Sequence, residues 1–264
     1  MSLKTGYLLL YNLVSLTAWT YLTARVILYC CCCAGPTTEV GIVGVGVVGG
    51  EVEGGGRGGA ETDALRADLL PYVTALQTAA AAEAAHAALG LVRASPAATA
   101  LQVGGRNLVL WTVARRFPDL VFSSFPSSSS PSSFYPPSTS YFPSSWVSSS
   151  WSWGRAGFLG CLLAWGCSDV LRYSFFVAAA VSPRRAAPRW LKWLRYTAFI
   201  PLYPVGFLSE ASLVYLSLVG ARDIGPLYRG YLFVGLLSYV PASYILYTHM
   251  FSQRRRALGR LGPT

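Results

Sequence analysis

Long apolar runs, separated by short charged or low-complexity stretches, constrain this chain more than any other feature of its sequence. A helix needs about 20 apolar residues to cross a hydrocarbon layer. Backbone groups there have no water to bond, so a run that stays in the layer must satisfy them within itself. Candidate spans fall at about Tyr7–Leu28, Leu69–Val92, Ala97–Ala114, Ala156–Val181, Leu194–Gly220 and Leu227–Phe251. The second and third are Ala-rich and only moderately apolar, so they are expected to face other helices rather than lipid. Only 12% of the 264 residues are charged and 53% are hydrophobic. A soluble domain carries about 25% charge. The expected fold is therefore all-α: a polytopic membrane helix bundle of about six transmembrane helices with low-complexity non-cytoplasmic loops.

The charge balance is read as topology. Lys+Arg number 21 against 11 Asp+Glu, a net +10. Basic residues concentrate in the loop holding Arg184, Arg185, Arg189, Lys192 and Arg195, and in a tail at 252–264 with Arg254, Arg255 and Arg256. That bias places both termini in the cytoplasm. A nucleic-acid partner is not expected, because the excess does not form a basic patch interleaved with aromatics on a soluble fold. No separate cleavable signal is apparent in the first span. Two stretches, the Gly/Val-rich 34–60 and the Ser/Pro-rich insertion 123–152, cannot build a core and are expected to be disordered on the non-cytoplasmic side.

Several motifs lack the context that their chemistry needs. Gly44, Gly46 and Gly49 satisfy G-x-G-x-x-G, but GEVEGGGRGG follows where a dinucleotide site needs a helix. Cys167 and Arg172 are separated by four residues inside an apolar run, which is not the spacing or setting of a phosphate loop. Cys30 to Cys33 are consecutive and make no disulfide framework or zinc set; small apolar filler and S-acylation both fit them. Glu83 and His86 have the i, i+3 spacing of a di-metal helix, yet that site needs a second such pair and further carboxylates. A polar contact between helices and a wall of an active site both remain open for them. Asp169 stands three residues before Arg172, so the two can neutralise each other locally. Arg106 and Arg172 are open to a structural role or to holding an anionic or thioester group.

The segment LKWLRYTAFIPLYPVGFLSE, Leu191–Glu210, is the most informative. It carries a carboxylate, Glu210, inside an apolar run, where an ionisable group costs about 2.5–3.5 kcal/mol on insertion scales and marks a functional candidate. Tyr203 lies seven residues earlier, about 10.5 Å of helical rise away and within about 20° of the same face. The two share a face without being expected to bond each other. Pro204 removes a backbone donor and leaves the Ile200 carbonyl to be satisfied otherwise. Gly206 is expected to leave open space beside Tyr203. From these residues alone, a substrate bracket and a helix contact with a buried protonated Glu210 are both open.

Six stretches, in order, resemble the very-long-chain (3R)-3-hydroxyacyl-CoA dehydratases, also called protein-tyrosine-phosphatase-like membrane proteins. They are YLLLYNLVSLTAW at Tyr7–Trp19, QTAAAAEAAHAALGLVRA at Gln77–Ala94 and LQVGGRNLVLW at Leu101–Trp111, then LAWGCSDVLRYSFF at Leu163–Phe176, the Leu191–Glu210 segment, and YTHMFSQRRRAL at Tyr247–Leu258. The resemblance implies one dehydratase membrane domain over residues 1–264, catalysed by Tyr203 and Glu210. It implies support from Arg106, Arg195 and Gly206; Arg172, Tyr173, Glu83 and His86 are counted with them as supporting or substrate-binding positions. Asp169 stands where the family more often has Glu, and alanines occupy 77–94 where bulkier aliphatics are common.

The implied reaction removes water from a 3-hydroxyacyl-CoA to give a trans-2-enoyl-CoA, the third step of fatty-acid elongation. It needs a base for the α-proton and an acid for the departing hydroxyl. A carboxylate shielded from water is the stronger base, so Glu210 is expected as base and Tyr203 as acid. No cofactor or metal is expected. The expected partners are acyl-CoA, membrane lipid, an elongase (ketoacyl-CoA synthase), a ketoacyl-CoA reductase and an enoyl-CoA reductase, in the endoplasmic reticulum membrane. A non-catalytic scaffold of the same family that binds elongases is the alternative.

Overall fold

In the computed structural model the described residues are 3–34, 57–92, 95–118, 121, 153–183, 186–220 and 225–259. Most of the Gly/Val-rich stretch, including the G-x-G-x-x-G glycines, lies outside them, as do the Ser/Pro-rich 123–152, Arg184, Arg185 and the end of the basic tail.

The described chain forms eight α-helices and no strand: α1 (Leu3–Ala34), α2 (Arg57–Ala79), α3 (Ala81–Ala88), α4 (Pro96–Val109), α5 (Trp153–Val181), α6 (Arg189–Arg195), α7 (Phe199–Gly220) and α8 (Pro226–Leu258). A π-helical turn, Leu110–Ala114, extends α4. Proline marks several starts. Pro226 follows an extended Gly225 at the head of α8, where a missing N–H costs nothing.

Four helical segments are long and apolar enough to cross a membrane: Leu3–Cys31, Trp153–Val181, Arg189–Leu218 and Pro226–Leu258. They answer to the first, fourth, fifth and sixth expected spans. The expected Leu69–Val92 and Ala97–Ala114 spans do not meet the same measure of length and apolarity, which supports four of the six expected spans. The helix breaks at Ala80, so α3 begins afresh at Ala81, and α2, though 23 residues long, is not apolar enough. Gly90 sits at φ 67, and the Leu91 N–H donates to the His86 carbonyl (2.8 Å) while the Gly90 N–H donates to that of Ala87 (3.2 Å). These paired bonds close a helix on a left-handed glycine. They end α3 after eight residues, and α4 runs for only 14 before its π turn.

Helix α5 is the centre of the bundle, packed between α1 and α7, with α8 behind α7. Its buried residues include Phe158, Leu159, Leu162 and Trp165, which join Trp19, Leu22 and Val26 of α1 and Leu213 of α7 in one core. Small residues make this approach close. A Cβ built on Gly166 would lie 3.2 Å from the Thr23 Cβ of α1, and one on Gly157 would lie 3.3 Å from the Leu213 Cγ of α7. The Thr23 hydroxyl already donates to the Trp19 carbonyl at 2.7 Å, so it has little freedom to move aside. Helix α8 is largely bare on its outer side, exposing Val234, Leu237, Val240, Tyr244 and Ile245, as a lipid-facing helix would.

This packing makes a stability prediction. Gly166→Ala should destabilise the protein by about 1–3 kcal/mol through overpacking against α1. Gly230→Ala, where a Cβ meets nothing within 4 Å, should leave stability unchanged or raise it by up to about 1 kcal/mol through helix propensity. Thermal unfolding of the detergent-solubilised variants compares the two, and equal effects would contradict the α1–α5 contact.

Candidate active site

A groove of about 450 Å³ opens between α4, α5, α7 and α8. Tyr203, Gly206 and Glu210 line it from α7, Arg106 from α4, Trp165 from α5, and Tyr239 with Ser243 from α8. Its volume falls in the range of ligand sites, about 300–1,000 Å³, which are mostly apolar with a few placed polar groups.

Tyr203 and Glu210 face the same groove and do not bond each other. The Tyr203 hydroxyl is 3.3 Å from the Ser243 carbonyl, to which it donates. Its ring is held in a run of aromatic contacts, 5.3 Å from Tyr247 and 6.4 Å from Phe207, both nearly parallel. Phe207 continues the run to Tyr239 at 5.7 Å. Pro204 leaves the Ile200 carbonyl without its helical donor, and the Tyr247 hydroxyl of α8 supplies a long bond to it at 3.4 Å. The proline that breaks the ladder thus also ties α7 to α8 beside Tyr203.

Gly206 does more than leave space. It is buried, and a Cβ there would come within 3.2 Å of the Ala164 Cβ on α5. Gly206 lines the groove together with Tyr203, and its missing side chain also admits the close approach of α7 to α5.

The Glu210 carboxylate has two neutral donors. Trp165 Nε1 donates to Oε1 at 2.7 Å, and the Tyr239 hydroxyl to Oε2 at 3.1 Å. Neither donor stood out in the sequence. The available signal was that an indole N–H or a phenol hydroxyl within an apolar helix must find a polar partner when buried. The other carboxylates whose side chains are described, Asp68, Glu83 and Asp169, each meet an arginine. Among the described residues no cation lies within ion-pair distance of Glu210.

The paired charges form a buried chain behind the groove. Arg106 Nη1 meets Asp169 Oδ2 at 2.6 Å, and Arg172 Nη2 meets Asp169 Oδ1 at 2.8 Å, the i, i+3 pair expected from the sequence. Arg172 also grips both oxygens of Glu83, to which the Tyr173 hydroxyl donates. The chain joins α3, α4 and α5, and at its near end the Arg106 guanidinium lies 5.5 Å from the Trp165 ring. Of the sequence candidates, then, Arg106 reaches the groove, whereas Arg172, Tyr173 and Glu83 stand behind it. His86 is further off, bonded to the Tyr7 hydroxyl at 2.8 Å and edge-on to Tyr11. Arg195 packs its guanidinium 4.5 Å from the Phe175 and Phe176 ring centres, on α5 rather than in the groove.

Glu83 and His86 therefore make helix contacts, and among the described residues no three His, Cys, Asp or Glu side chains cluster as metal ligands. Cys167 and Arg172 lie on one continuous helix, α5, whose backbone N–H groups are turned to helical bonds instead of forming a phosphate cradle.

Comparison with known proteins places this helix bundle in a family. The chain belongs to the family described as protein tyrosine phosphatase-like protein, PTPLA, which matches residues 77–260. It is 32% identical over 181 residues to a probable very-long-chain (3R)-3-hydroxyacyl-CoA dehydratase of Schizosaccharomyces pombe, covering 69% of this chain and 71% of that protein. It is 30% identical over 199 residues to the very-long-chain (3R)-3-hydroxyacyl-CoA dehydratase PASTICCINO 2 of Arabidopsis thaliana, covering 70% and 74%. The very-long-chain (3R)-3-hydroxyacyl-CoA dehydratase 2 of Mus musculus is 27% identical over 195 residues, covering 69% and 63%. No solved structure matches the chain.

The ion chain predicts unequal costs. Asp169 is 3% exposed, and removing its charge leaves the Arg106 guanidinium without a carboxylate and Arg172 with Glu83 alone, so Asp169→Asn should cost about 3–5 kcal/mol. Asp68 pairs with Arg25 at an exposed edge, and Asp68→Asn should cost less than about 1 kcal/mol. Thermal unfolding of both variants measures the difference; a tolerated Asp169→Asn would contradict the network.

Proposed function

We propose that this chain is a very-long-chain (3R)-3-hydroxyacyl-CoA dehydratase of the endoplasmic reticulum membrane, in which Glu210 is the base and Tyr203 the acid. The observation that carries this reading is the state of Glu210: it is a carboxylate in an apolar groove, held by neutral donors, with a tyrosine on the same helix face lining the same groove. The dehydratase names of the relatives fit the chemistry such a pair can do.

The α C–H proton passes to Glu210, and its electron pair forms the Cα=Cβ bond. The Cβ–O bond breaks, and the oxygen leaves as water with a proton from the Tyr203 hydroxyl. Arg106, lining the groove and anchored by Asp169, is the cation that would meet the thioester oxygen as negative charge develops there. The groove walls between Leu101 and Leu246 suit an acyl chain. Phe199 also lines the groove and follows α6 closely in the chain. The polyanionic CoA headgroup would therefore meet the basic edge formed by Arg189 and Lys192, on the cytoplasmic side if both termini face the cytoplasm. The elongase and the two reductases that make the substrate and consume the product are the natural partners in the membrane.

Purified protein should dehydrate 3-hydroxyacyl-CoA. Glu210→Gln and Tyr203→Phe should each lower kcat by about 10²–10⁴-fold, the usual worth of a placed proton transfer. Wild-type rates in both variants would remove the assigned mechanism.

A further inference from the structure

The two oxygens of Glu210 meet different chemistry. Oε1 accepts from the Trp165 indole N–H at 2.7 Å, a group that donates and never accepts. While that bond stands, Oε1 must remain an acceptor. Oε2 lies 3.1 Å from the Tyr239 hydroxyl, which can donate or accept by turning about its C–O bond. Oε2 can therefore be bare or protonated without stranding a polar group.

Both donors are themselves held. Trp165 is 3% exposed, with the Arg106 guanidinium beside its ring and Arg106 fixed in turn by Asp169. Tyr239 packs its ring against Phe207. They come from α5 and α8, so the carboxylate of α7 is tied to helices on both sides. The terminal torsion of a free glutamate is broad and nearly two-fold. An untied Glu210 would present either oxygen, in many orientations, to the groove.

We propose that Trp165 and Tyr239 are positioning residues that orient Glu210 and confine its proton exchange with substrate to Oε2. The inference rests on the dehydratase reading and deepens it. The α-proton goes to Oε2 as its C–H pair becomes the double bond and hydroxide departs, protonated, as water. Oε1 stays bonded to Trp165 throughout, and the Tyr239 hydroxyl turns as Oε2 changes from acceptor to donor.

The test is steady-state dehydration of 3-hydroxyacyl-CoA by purified Trp165→Phe and Tyr239→Phe. Each variant removes one donor and keeps an aromatic ring. Each should lower kcat by about 10- to 100-fold, the cost of a misplaced catalytic group, with KM changed less than about twofold. A loss that appears in KM alone, or a wild-type kcat in both, overturns the inference. If Trp165→Phe cannot be recovered folded, Tyr239→Phe decides by the same split, since it deletes only a hydroxyl. Glu210→Gln separates the two levels of the claim. A crippled Glu210→Gln beside fully active Trp165→Phe and Tyr239→Phe sinks the positioning role alone; a fully active Glu210→Gln removes both.

Discussion

Charge pairing in a medium that cannot solvate charge is the constraint on which the rest of this structure depends. Moving an ion out of water costs several kcal/mol even after relaxation, and one ill-placed charge is not repaid by distant ones. Within the bundle that cost is met by a continuous chain, Glu83–Arg172–Asp169–Arg106, in which every carboxylate touches a guanidinium. The chain fixes α3 and α4 against α5, although α3 is only eight residues long and α4 only 14. Glu210 stands outside that pairing, with a tryptophan and a tyrosine where the others have arginine. The contrast separates the carboxylates that meet arginine and tie helices together from the one that meets only neutral donors.

The geometry of α7 follows from its neighbours on both sides. Gly206 lets it close on α5, and the Tyr247 hydroxyl takes the carbonyl that Pro204 strands, closing it on α8. The Pro-x-Gly break therefore sits where two contacts need it, directly after the tyrosine that lines the groove. The aromatic run from Tyr239 through Phe207 and Tyr203 to Tyr247 then fixes the rings that face the open space. A groove with rigid walls can hold a flexible acyl chain without the enzyme itself reorganising.

Much of this was legible in the residues. Long apolar runs gave the helices α1, α5, α7 and α8 because a backbone in hydrocarbon has few alternatives. The shared face of Tyr203 and Glu210, the stranded Ile200 carbonyl and the Asp169–Arg172 pair all followed from helical periodicity. The parts that were not legible depend on contacts far apart in the chain. Glu83 meets Arg172 across 89 positions and Trp165 meets Glu210 across 45, and periodicity says nothing about which helices adjoin. The approach of Gly206 to Ala164 is hidden for the same reason, since Ala164 lies on another helix. The Leu69–Val92 and Ala97–Ala114 stretches fall short of that length and apolarity because alanine supports a helix equally well inside and outside a membrane, and because the helix breaks at Ala80.

If Glu210 and Tyr203 act as proposed, the reacting carbons of a 3-hydroxyacyl thioester lie between them in this groove. The most direct measurement is an experimental structure of the purified protein with a non-reacting thioether analogue of the substrate. The analogue's C2 is expected beside the Glu210 carboxylate, its hydroxyl toward Tyr203, and its CoA phosphates near Arg189 and Lys192. An analogue bound elsewhere, with Glu210 still facing only Trp165 and Tyr239, would contradict this placement.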